Sequence, residues 1–79
     1  MDNDQLEKKK FLEQQLEWTH QQDHILSKIE ESLYEMKAIA EYRVDHDLTK
    51  AEIEVMNRQL NDLQEIVNSL EKQLHSIIH

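Results

Sequence analysis

The chain contains no glycine, no proline and no cysteine in 79 residues. Without Gly and Pro it lacks the residues that make tight turns, bulges and helix stops, which excludes a β-sheet or loop-rich fold and the Gly-rich loops that cradle phosphates. Without Cys it has no disulfide, no thiolate nucleophile and no Cys-ligated metal site, and so none of the staples on which small domains often depend. No apolar run approaches the roughly 20 residues of a membrane helix, and the acidic start does not fit a signal peptide. A cytoplasmic protein with no membrane partner is expected.

Positive charge is scarce as well. Nine basic side chains face 17 acidic ones, for a formal net charge of −8. A nucleic-acid partner is disfavoured, because phosphate binding needs a positive patch and the only basic run, Lys8-Lys9-Lys10, reads as a solvated helix face. The charge would permit an acidic decoy that blocks a basic groove, but a decoy is expected to concentrate its carboxylates instead of mixing them with basic residues.

What remains is rich in Glu, Gln, Lys, Leu and Ala, which lose little on entering a helix. From Ile53 the apolar residues Met56, Leu60, Leu63, Val67, Leu70, Leu74 and Ile77 follow in unbroken 3,4 alternation, one narrow helical seam, with Ile66 and Ile78 widening it towards the C-terminus. The helix start is marked too: Thr49 can cap, Glu52 can return the bond, and Leu48 can staple against Ile53. A second helix over about 50–78 is predicted.

Upstream, Ile25, Leu26, Ile29, Leu33, Met36, Ile39 and Ala40 fill three positions of every seven, a width suited to more than one neighbour. This stripe continues thinly through Trp18, Leu12 and Phe11, with Gln15 and Gln22 at positions that would otherwise be apolar. Asp4 and Glu7 repeat the capping logic, so the first helix is placed at about 4–45, with an interruption allowed near Thr19 to Asp23. Val44 to Leu48 form a short polar turn in which Asp and His tolerate turn conformations, which makes the helices antiparallel neighbours. The alternative of one continuous rod would leave the cap at Thr49 unused.

The expected fold is therefore a single all-α domain, an antiparallel coiled-coil-like hairpin with a long first helix that completes a four-helix bundle as a dimer. Facing residues should have numbers totalling roughly 94, since both helices rise equally per residue. Ile39 then lies level with Val55 and Met56, Leu33 with Leu60, and Ile29 with Leu63 to Ile66. The second helix runs out near Leu16, leaving an overhang on which Phe11 and Leu12 have no cover in their own chain.

Chemistry finds little support. Two His pairs sit one turn apart, His20 with His24 and His75 with His79, but each lies away from the apolar stripe, so solvated imidazoles are expected and no metal. Glu17 and His20 form a single Glu-x-x-His where a di-iron bundle needs two. Ser27, Ser32, Ser69 and Ser76 lie inside helices with no convergent base. No cofactor, catalytic group or small-molecule substrate is expected. Trp18 reads either as core, against Ile77 and Ile78, or as an interface anchor at the uncovered end; Tyr34 and Tyr42 read as boundary residues.

Two families bear a resemblance. The stretch Ile25 to Ile66, with Leu33, Met36-Lys37 and Ile39-Ala40 before the turn and Thr49 after it, resembles the helical hairpin in the N-terminal part of bacterial flagellins. Hydrophobic spacing carries that likeness, and without the terminal segments of a flagellin a filament subunit is not implied. The same stretch looks like the small two-helix phosphatases that act on response regulators of the sporulation phosphorelay. In that family a Ser-Gln-Glu-Leu-Asp motif on the second helix carries the working carboxylate. Here Asn57, Arg58, Gln59, Leu60 and Asn61 take those places and the connection is longer. Asn61 cannot replace the carboxylate and Asp62 points about 100° further round, so the resemblance implies response-regulator binding, with Gln59 and Asp62 the only helpers a phosphatase could use.

The reading that best fits the residues is a non-enzymatic, bacterial regulatory module that self-associates as a homodimer and binds a partner, which can be another helical protein. Its interface is placed on Phe11, Leu12, Leu16, Trp18, Ile25, Leu26, Ile29, Leu33 and Met36 of the first helix. On the second it takes Leu60, Leu63, Val67, Leu70, Leu74 and Ile77.

Overall fold

The computed structural model of the chain describes residues 3–78, Ile78 by its backbone alone. Its regular elements are two α-helices, α1 over Asn3–Asp45 and α2 over Lys50–Ile78, with no strand among the described residues. They pack on each other as a hairpin 71 Å long and 19 by 12 Å across, so a single continuous rod does not form. The antiparallel sense is fixed at both ends: Trp18 bonds to Ile77, and Arg43 bonds to Asn57.

The turn is closed by local side chains. Thr49 Oγ1 accepts the Glu52 N–H at 3.2 Å, and Glu52 Oε1 accepts from the Thr49 N–H at 3.4 Å and from its hydroxyl at 3.0 Å. This reciprocal box satisfies donors that the first turn of α2 would otherwise leave open. Leu48 and Ile53 beside it are both half-buried. On the α1 side, His46 Nδ1 lies 2.9 Å from the Tyr42 carbonyl, which can only accept, so Nδ1 carries the hydrogen. The two rings stack 3.8 Å apart. No described residue has positive φ, so the turn is made without the left-handed conformation that Gly usually supplies.

All eight seam residues of α2 point inward: Val67 and Leu70 are buried, and Ile53, Met56, Leu60, Leu63, Leu74 and Ile77 are half-buried. The seam of α1 is narrower than its apolar stripe. Its inward positions are Gln22, Ile25, Ile29, Ser32, Met36 and Ile39, another 3,4 alternation, while Leu26, Leu33 and Ala40 are exposed. One neighbour covers only about two columns of a helix surface, so the third apolar column predicted for α1 is left outside. Leu33, expected level with Leu60, is half exposed, and the small Ser32 beside it is the buried residue.

Asp4 lies in the first turn of α1, where its charge complements the helix dipole. The interruption allowed near Thr19 to Asp23 does not occur: α1 runs through it, and the Thr19 hydroxyl donates back to the Gln15 carbonyl at 2.8 Å. With the Trp18 indole on the Ile77 carbonyl, the overhang covers residues 3–17, roughly 22 Å of helix.

Candidate protein-interaction surface

The overhang is a lone helix, and its apolar side chains follow from that. Leu6, Phe11, Leu12 and Leu16 are all exposed, Leu12 to 65%. Lys8, Lys9, Leu12 and Leu16 line one shallow hollow along it with Gln5 and Glu13, so the basic run borders an apolar strip. At the junction, the Trp18 indole N–H donates to the Ile77 carbonyl at 2.7 Å. That carbonyl belongs to the last turn of α2, where no intrahelical donor remains. Trp18 therefore serves α2 as an end cap while part of its ring stays in water; the Ile78 side chain, its other expected neighbour, lies outside the described residues.

Along the hairpin, Leu26 and Leu33 form a second exposed strip on the edge of α1, Leu33 being 50% exposed, with Ala40 and Val44 continuing it. The opposite edge carries Tyr42, Val55 and Ile66, also exposed. Tyr34, expected at the boundary, is instead 74% exposed.

Of the interface residues read from the sequence, Ile25, Ile29, Met36, Leu60, Leu63, Val67, Leu70, Leu74 and Ile77 are taken up by contact between α1 and α2 within the chain. Phe11, Leu12, Leu16, Leu26 and Leu33 remain available to another molecule, and Trp18 divides between the two. The register already placed Phe11 and Leu12 on the uncovered overhang, but spacing could not separate Leu26 and Leu33 from the seam, since both follow a helical period.

Arg43 and Asn57 escaped the sequence reading. The Arg43 guanidinium donates to Asn57 Oδ1 at 3.1 Å and ties the helices near the turn. The only signal was that Arg43 continues the column Ile29, Met36.

Groups with chemical potential are dispersed. His20, His24 and His75 are exposed and His79 lies outside the described residues; no group of three or more His, Cys, Asp or Glu is gathered as for a metal ion among those described. Glu17 is exposed beside His20. One open groove on the hairpin is lined by Glu35, Ala38, Ile39, Gln59, Asp62 and Leu63, which brings together the Gln and Asp singled out on α2. No helix among the described residues is long and apolar enough to cross a membrane.

Compared with known proteins, the chain matches no family model, no curated protein and no solved structure. The surface itself must carry the functional reading.

Proposed function

We propose that the chain is a non-enzymatic protein–protein interaction module, a helical hairpin that self-associates as a homodimer of four helices and in that form binds or regulates a partner protein. One observation carries this reading. The chain exposes 6715 Å², whereas a compact monomer of its size would expose roughly 5,000 Å². The surplus, on the order of 1,700 Å², exceeds the ~800 Å² that each partner contributes to a typical stable interface. It includes the apolar strips described above, and among the described residues no large side chain is fully buried. A hairpin alone is thus short of core, and a second copy is the partner always at hand. Sedimentation equilibrium at micromolar concentration tests the proposal: a dimer mass is expected, and a folded monomer throughout would contradict it.

A second reading is supported by the groove that gathers Gln59, Asp62 and Glu35. In it the hairpin binds a response regulator, with Gln59 and Asp62 assisting hydrolysis of its aspartyl phosphate. Phosphate release from a labelled regulator, lost on Asp62→Ala, would favour it; no release, or release indifferent to Asp62→Ala and Gln59→Ala, would exclude it.

A further inference from the structure

We infer that the N-terminal overhang of each subunit docks, antiparallel, along the α1 edge of a second copy, adding a third helix to that copy's hairpin. The inference rests on the self-association just proposed and specifies its geometry.

The argument begins with a second column pair on α1. Beside the seam that faces α2, residues 9, 12, 16, 19, 23, 26, 30 and 33 also alternate by 3 and 4, and all are exposed. They read Lys9, Leu12, Leu16, Thr19, Asp23, Leu26, Glu30 and Leu33. The N-terminal part is apolar and basic, and the part on the hairpin is apolar and acidic. Such a strip complements itself when two copies run antiparallel, which a twofold axis allows.

Charge selects the register. With the axis beside Thr19, Leu12 faces Leu26 of the second copy and Lys9 faces its Glu30, and symmetry makes each contact twice. Lys8 then lies level with Glu30 as well. Sliding by one heptad sets Lys9 against Lys37 and Asp23 against Asp23, placing like charges together. A register centred on Leu33 pairs Glu30 with Lys37, but it leaves Leu12 and Leu16 in water. A slide of one heptad the other way, centred on Leu16, also pairs Lys9 with Asp23 but leaves Leu33 beyond the contact. The Thr19 register covers the overhang, Leu26 and Leu33 and gives the lysines acidic partners.

Length fits as well. The overhang spans residues 3–17, and in this register it runs beside residues of the second copy's α1 from about 21 to 35. The C-terminal ends of the two α2 helices then meet near the axis, where each is held by Trp18.

Cysteine pairing tests this geometry without interference, since the chain has no Cys of its own. In the variant carrying Leu12→Cys and Leu26→Cys the two thiols are about 21 Å apart along one helix, too far for a bond within the chain. Mild oxidation is expected to give a covalent dimer, with neither single variant cross-linking to itself. Lys9→Glu is expected to weaken the dimer about tenfold, and adding Glu30→Lys to restore most of the loss. Self-cross-linking of Leu33→Cys, with no bond between positions 12 and 26, would overturn the docking geometry while leaving self-association intact. A monomeric unmodified chain would overturn both.

Discussion

Trp18 and Ile77, 59 residues apart, are joined by a 2.7 Å hydrogen bond from the indole N–H to the main-chain carbonyl. It marks where α2 stops and α1 continues alone. Trp18→Phe keeps an aromatic ring and removes the donor, so the last turn of α2 should fray. The expected cost is about 1 kcal/mol, from the net value of one such bond. Faster amide exchange near the C-terminus, with the turn at Thr49 unaffected, is the outcome to check.

At the other end the hairpin depends on the reciprocal bonds between Thr49 and Glu52. Thr49→Ala should cost about 1 kcal/mol in denaturant unfolding. Glu52→Gln, which can still accept, should cost clearly less. Equal losses would mean that charge at the helix start, not the box, is what matters.

Much of this was legible in the sequence. The α2 seam was readable because the apolar residues off it, Ala51, Val55, Ile66 and Ile78, are scattered and form no second column, and the cap was readable because Thr49, Glu52 and Leu48 stand in fixed positions around it. The inner face of α1 was not. Its apolar residues occupy three columns, and sequence cannot tell which two α2 will cover; the structure chose the pair containing Gln22 and Ser32 over the one containing Leu26 and Leu33. The same ambiguity hid that Leu26 and Leu33 are surface left for another molecule, whereas the overhang with Phe11 and Leu12 followed from the register. The stack of Tyr42 on His46 was also missed, although aromatic residues four apart at a helix end are its signature.

Ser32 offers a check on that choice. It is a buried polar residue in an otherwise largely apolar seam, opposite the bulk of α2. Ser32→Ala should be neutral or stabilising by a few tenths of a kcal/mol, since Ala is the better helix former. Ser32→Leu should overpack the contact and cost about 1–3 kcal/mol. A stabilising Ser32→Leu would show that the column of Leu26 and Leu33, not that of Ser32, faces α2.

Val67 and Leu12 separate folding from association. Val67 is 3% exposed, the most buried of the core residues, and Val67→Ala should cost about 2 kcal/mol whatever the protein concentration. Leu12→Ala touches nothing in its own hairpin. Its effect should appear as weaker association, with helicity retained at concentrations where the dimer persists.

Thermal unfolding of the unmodified chain over a hundredfold range of concentration tests self-association most directly. If folding is coupled to dimer formation, mass action raises the midpoint with concentration, and the account predicts that rise. A midpoint that stays constant across the range, with a single cooperative transition, would contradict it.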